Sequence, residues 1–198
     1  MKEKPKIIVI LGQTAVGKSD LAVKIAKKFN GEIISADSRQ VYKGLDIGSG
    51  KITKKEMRKV PHYLLDVANP KKQFSVAQYK KLTDKKVEEI HKNGKLPIVV
   101  GGTGFYIQAI VDDMVLPEVK PNYKLRKELG KKSTKKLFEI LKKLDKNRAS
   151  DIEKDNPRRL IRAIEIAKML GKVPKLKTNS KYEVLQIGLK LPEEKLKD

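Results

Sequence analysis

The stretch Gly12-Gln13-Thr14-Ala15-Val16-Gly17-Lys18-Ser19 constrains this chain more than any other. It follows an apolar run, Ile7-Ile8-Val9-Ile10-Leu11, and it precedes Leu21, Ala22, Ile25, Ala26 and Phe29, apolar positions at helical spacing. A strand, a loop of the form G-x-x-x-x-G-K-[ST] and a helix, in that order, make a phosphate-binding loop. The glycines let backbone N–H groups turn inward around an anion, and the new helix adds its positive end. Lys18 supplies a point charge, and Ser19 a hydroxyl suited to Mg²⁺. A glycine-rich turn with no ligand is the weaker account, because the motif and its flanking context are both present. Gly12 to Ser19 are therefore expected to hold a di- or triphosphate, and the loop alone does not say which.

The rest of the first half reads as a parallel α/β core. The expected strands are Lys6–Leu11, Glu32–Ala36, Tyr63–Val67 and Leu96–Val100. The first helix spans about Lys18–Phe29. Ser75 can cap a second helix with Val76, Tyr79, Leu82, Val87 and Ile90 on its apolar face and Gly94 as its stop. In such a sheet the carboxyl ends of the strands line the ligand crevice. Asp37, directly after the second strand, therefore belongs beside the phosphate loop, either capping a turn or facing the crevice. Gly101-Gly102-Thr103-Gly104 makes another tight turn at the same edge. Asp66 ends an apolar tract and could stand as the magnesium-binding acid of a nucleotide hydrolase, but the tract is short and Asn69-Pro70 follows. No acid follows Leu96–Val100, which counts against an ordinary ATPase.

After Asp112-Asp113 the character changes. Lysine-rich helical segments run from about Asn122 to Gly130 and from Thr134 to Leu144, the second with Leu137, Ile140, Leu141 and Leu144 on one face. Asn156-Pro157 starts a helix that Gly171 closes, with Leu160, Ile161, Ile164, Ala167 and Leu170 as its stripe. Arg158, Arg159 and Arg162 crowd its positive end. That placement opposes the macrodipole, a cost a bound anion relieves and a solvated basic turn does not. Val184–Leu189 is an apolar strand expected to return to the sheet. The reading is thus an α/β fold, a P-loop NTPase-like parallel sheet flanked by helices, with a core over 1–113, a helical insertion over 114–175 and a returning strand in 176–198.

The net charge of +22 favours a polyanionic partner, nucleic acid first, although a lysine-rich solvated surface gives the same number. There is no cysteine and only two histidines, which excludes disulfides and disfavours zinc. With no signal-like start and no apolar run of membrane length, a cytoplasmic protein without a membrane partner is expected. Nothing in the expected fold calls for more than a monomer.

Gly12–Ser19, Ile34-Ser35-Ala36-Asp37-Ser38-Arg39-Gln40-Val41-Tyr42-Lys43-Gly44-Leu45-Asp46-Ile47-Gly48, Pro61–Val67, Phe74-Ser75-Val76-Ala77, Val100–Tyr106 and Asp155–Glu165, in this order, resemble the tRNA dimethylallyltransferases. The resemblance covers nearly the whole chain. It implies transfer of a dimethylallyl group from dimethylallyl diphosphate to N6 of the adenine 3′ of the tRNA anticodon. It makes the phosphate loop a diphosphate site with Mg²⁺ on Ser19. It makes Asp37 the general base and gives Thr103 contact with the target adenosine. Asp37, Ser38, Arg39 and Gln40, with Thr103, Arg126, Arg158, Arg159 and Arg162, become tRNA contacts. No water needs activating for hydrolysis, which agrees with the missing acid.

Members of that family usually run well beyond the strand matching Val184–Leu189, and here the insertion is also compact. The expectation is a core that folds and binds diphosphate but discriminates poorly among RNA loops. Three other readings compete. They are a P-loop kinase or NTPase using Asp66, a prenyltransferase acting on free AMP or ADP, and a non-catalytic RNA-binding remnant.

Overall fold

The computed structural model describes residues 4–174 and 181–191, which fall into two compact units. Residues up to Met114 with 181–191 form the first, and Val115 onward to 174 the second. The parts of the expected returning segment at 176–180 and 192–198 lie outside the described residues.

The first unit is built on strands β1 (Lys6–Gly12), β2 (Gly31–Ser35), β3 (His62–Tyr63), β4 (Leu96–Gly101) and β5 (Glu183–Leu189), in the order β3-β2-β4-β1-β5 with every pairing parallel. The P-loop NTPase-like sheet expected from the sequence is therefore present. β1 alternates its side chains between two cores, as strand pleating requires. Ile7 and Val9 pack with Ile34, Val99, Tyr79, Val87, Ile90, Ile107 and Ile110 on one face. Ile10 packs with Ala22, Val23, Ala26, Ile33 and Ile98 on the other. The first face is covered by α3 (Val76–Lys92) and α4 (Gly104–Val111), the second by α1 (Lys18–Lys28). With both faces covered, β1 and β4 read as near-continuous apolar runs. β5 pairs with β1 from Lys6↔Glu183 to Gly12↔Leu189.

Two local expectations are corrected. The strand expected at Tyr63–Val67 is only His62–Tyr63, because Leu64 and Asp66 take positive φ of 62° and 56° and break the ladder. That strand is at the sheet edge, with β2 and β4 between it and β1. Asp66 pairs instead with Lys51 at 2.6 Å, so the hydrolase-acid reading of Asp66 fails. Leu82, placed on the apolar face of α3, is partly exposed, and Thr83 is buried in its stead. The cap is as expected: the Ser75 side chain accepts from Gln78 N–H, and Gln78 reaches back to Ser75 N–H.

The second unit contains α5 (Tyr123–Leu129), α6 (Thr134–Leu144), α7 (Lys146–Asp151) and α8 (Pro157–Leu170). Its core joins Leu129, Leu137, Leu141, Ala149, Ile152, Leu160, Ala163 and Ile164. Asn156 caps α8 by accepting from Arg159 N–H, with Pro157 in the first turn. Leu144 and Leu170, expected on buried stripes, are partly exposed at the helix ends. Among the described residues no helix is long and apolar enough to cross a membrane.

Candidate active site

Four strand ends converge at the carboxyl edge of the sheet, and glycine permits the convergence. A Cβ on Gly101 would lie 2.1 Å from the Ala36 carbonyl oxygen, and one on Gly12 2.4 Å from that of Leu189. No larger residue fits either position without moving backbone. Ala36 N–H donates to Val100 O at 2.7 Å, and Thr103 N–H to Ala36 O at 3.2 Å. The ends of β2 and β4 are thereby locked together, with Asp37 and Thr103 as neighbours.

The loop from Gly12 to Ser19 turns through positive φ at Ala15 (66°) and Gly17 (84°) before α1 begins at Lys18. Lys18 Nζ donates to the Gln13 carbonyl within the loop. Burial pulls the Lys18 pKa below its ordinary value, and the negative charge of Asp37 offsets part of that shift. An anion in the loop would act in the same direction as Asp37 and favour the charged ammonium. Ser19, in the first turn of α1, has an exposed side chain.

Asp37 divides its work between two oxygens. Oδ1 accepts from Arg39 N–H at 2.7 Å and Gln40 N–H at 3.2 Å, forming the turn cap that the sequence allowed. Among the described residues no hydrogen bond reaches Oδ2. Thr103 Oγ1 accepts from Ser38 N–H at 2.9 Å, which keeps its hydroxyl proton available to another acceptor. Tyr106 lies under the site, stacked on Tyr79 with ring centroids 4.0 Å apart, its pKa pushed up to about 12 by burial and then by Tyr42 and Asp37. Phe105, beside Thr103 in the first turn of α4, is half exposed. Sequence reasoning passed over it because only Gln108 interrupts the apolar run Phe105–Val111, which leaves no clear helical face.

The arginines of the second unit have unequal occupations. Arg126 binds the buried Glu165 carboxylate twice, Nε to Oε1 at 3.0 Å and a terminal nitrogen to Oε2 at 2.8 Å. Arg162 donates to the same carboxylate and to Val119 O at 3.0 Å. Asn122 N–H adds a further bond at 2.6 Å. Arg159 meets Glu153 at 3.1 Å across an exposed pair, and Arg158 is exposed. Glu165 was not singled out from the sequence, where it looks like one more charge on a basic helix.

The donor set around the loop suits a particular kind of metal. Among the described residues no group of three His, Cys, Asp or Glu could hold an ion. One hydroxyl at the start of α1 fits a Mg²⁺ carried mainly on phosphate oxygens and water, and does not fit a protein-only cage.

The family model for IPP transferase matches residues 40–198. The chain belongs to the IPP transferase family. This family member is 44% identical over 196 residues to a tRNA dimethylallyltransferase of Anoxybacillus flavithermus, covering 96% of this chain and 63% of that relative. It is 42% identical over 205 residues to one of Staphylococcus epidermidis, covering 98% and 62%. Among solved structures, the full-length tRNA isopentenylpyrophosphate transferase of Bacillus halodurans superposes with a TM-score of 0.62 at 41% identity, covering 93% of this chain and 60% of that one. A eukaryotic dimethylallyltransferase acting on tRNA gives 0.74 at 30% identity, covering 93% and 48%. This IPP transferase family chain thus spans about three fifths of the length of the curated relatives it matches.

Proposed function

We propose that the protein is a tRNA dimethylallyltransferase, working in the cytoplasm as a monomer. In this reading it moves a dimethylallyl group from dimethylallyl diphosphate to N6 of the adenine 3′ of the anticodon in a tRNA anticodon stem-loop. The observation that supports the reading is Asp37: one carboxylate oxygen has no hydrogen bond among the described residues, its charge acts on Lys18 of the phosphate loop, and the next residue, Ser38, binds the Thr103 hydroxyl.

The chemistry follows from those groups. The C1–O bond of the allylic diphosphate breaks, and its electron pair leaves with the diphosphate. Backbone N–H groups of Gly12–Ser19 and the Lys18 ammonium offset the charge that grows there. N6 of the adenine forms the new bond to C1 and gives up a proton, which Asp37 Oδ2 accepts. Thr103 offers its hydroxyl to the base and orients it. Mg²⁺, held on Ser19 and the substrate phosphates, supplies further charge neutralisation when bound. An adenine stacked in an RNA loop must turn out to meet these groups. Ser38, Arg39, Gln40, Arg158 and Arg159 are the proposed RNA contacts, with Arg126 and Arg162 presented by Glu165.

The test is radiolabelled prenyl transfer with the full chain. Label should pass to anticodon stem-loop RNA, and AMP should be a poor acceptor. Transfer to AMP at equal efficiency would make the protein a free-nucleotide prenyltransferase, and brisk ATP hydrolysis without transfer would make it a nucleotide hydrolase.

A further inference from the structure

The loop over residues 44–51 touches none of the reacting groups, yet it is held by an unusual set of contacts. Lys51, with only 7% of its side chain exposed, donates to Tyr42 O at 3.0 Å and to Asp46 Oδ1 and Asp66 Oδ1, both at 2.6 Å. Burial opposes its charge, but the two carboxylates outweigh burial and raise its pKa. Gln40 Nε2 donates to Gly50 O at 3.1 Å, and Gly50 N–H to Ile47 O at 3.1 Å. Gln40 also supplies one of the N–H groups that cap Asp37. The loop is therefore tied through one residue to the turn that carries the proposed base.

At the tip of this braced loop, opening the 3₁₀ turn Ile47–Ser49, the side chain of Ile47 is 100% exposed. Single exposed aliphatic residues are ordinary on protein surfaces. A fully bare one on a loop whose backbone is already tied is different, because less of the backbone ordering cost remains to be met on binding. Arg39 and Lys43, on the turn that the loop braces, are exposed and have no acidic partner among the described residues. Exposed cations on the turn, with a bare aliphatic on the loop tied to it through Gln40, suit a ligand with phosphates outside and apolar faces inside.

We propose that Ile47 is a wedge that enters the base stack of the RNA loop next to the adenine being modified and keeps the vacated gap open. The proposal rests on the reading of the site as an RNA-modifying one. Extruding a base costs unstacking energy, and an inserted aliphatic side chain recovers part of it. Ile47 is thereby a specificity and positioning residue, acting on the neighbouring bases and not on the reacting atoms.

The experiment uses the full chain and an anticodon stem-loop with 2-aminopurine at the target position, which fluoresces on unstacking and has no N6 amine to react. Wild type should raise the fluorescence at saturation. Ile47→Ser should lose most of that rise and lower turnover on unlabelled RNA about tenfold, with thermal midpoint and the salt slope of binding unchanged. Ile47→Leu should behave as wild type. An Ile47→Ser protein with wild-type fluorescence and turnover would overturn the wedge while leaving the transferase reading intact. So would a wild type that transfers the prenyl group without any fluorescence rise. Loss of a dimer in sedimentation, with RNA readouts unchanged, would assign Ile47 to a contact between copies. A wild type that turns the base out but never transfers prenyl would refute the transferase reading alone.

Discussion

Replacing Asp37 by Asn separates two roles that share one side chain. Oδ1 accepts the Arg39 and Gln40 N–H groups at 2.7 and 3.2 Å, and an asparagine carbonyl can accept both in the same place. Asn and Asp are near-equal caps, so stability should change by less than ~0.5 kcal/mol. Oδ2 is the proposed proton acceptor, and the amide that replaces it cannot take a proton. Loss of a general base typically costs ~10²–10⁴-fold in rate, which corresponds to about 2.7–5.5 kcal/mol of barrier. Asp37→Ala should lose the same rate and about 1 kcal/mol of stability as well, because the cap goes too. Removing the negative charge beside Lys18 also leaves the loop no weaker for an anion, so dimethylallyl diphosphate affinity should hold or improve. Single-turnover transfer of labelled prenyl, diphosphate titration calorimetry and urea melts of the three proteins read these outcomes separately. An Asp37→Asn enzyme with near-native turnover would refute the base and leave Asp37 a cap. An Asp37→Asn protein as unstable as Asp37→Ala would refute the division of labour between the two oxygens.

Lys18→Ala should slow transfer by ~10²–10³-fold, the usual cost of one charge-stabilising donor, and weaken diphosphate binding by calorimetry. Glu165→Gln should destabilise the fold by ~2 kcal/mol in urea melts: breaking a buried pair costs about 3–5 kcal/mol, and partly exposed Arg126 and Arg162 regain some water. Burial pushes the Glu165 pKa up, but the bonds from Arg126, Asn122 N–H and Arg162 outweigh it and hold it below the ordinary carboxylate value. Its stabilisation is therefore complete above that ordinary value and fades as pH falls through the folded one, so the Gln variant should show a flatter acid limb. Changing Arg158 and Arg159 to Gln together should lower the salt slope of stem-loop binding by roughly 1.4 if each meets a phosphate, measured by anisotropy across a salt series. Arg162→Gln should cost stability first and change that slope less.

The legible part of this protein is the part written in short-range chemistry. Gly12–Ser19 announced its strand, turn and helix because the turn needs glycine at positive φ and an anion needs N–H groups. Helix α6 at Thr134–Leu144 and helix α8 at Pro157–Leu170 could be bounded to the residue, since caps and a 3.6-residue stripe are local signals. Helix α4 could not, because its sequence is apolar on its exposed side as well as its buried one, with Phe105 half exposed, and so shows no stripe. The strand at Tyr63–Val67 failed for the converse reason: its composition is strand-like, but pairing ends where Leu64 and Asp66 turn to positive φ.

By itself, then, the sequence determined that there is a phosphate loop, an α/β sheet, a basic helical insertion, and an acid and a threonine at strand ends. Only the tertiary structure decided which groups are free to act. It spent Asp66 on Lys51, and Arg126 and Arg162 on Glu165, while leaving one oxygen of Asp37 and the side chain of Ile47 uncommitted. A residue type states what bonds a side chain can make. Which of them are already made depends, for Asp66 and Arg126, on partners 15 and 39 positions away, and no local pattern in the chain records that distance.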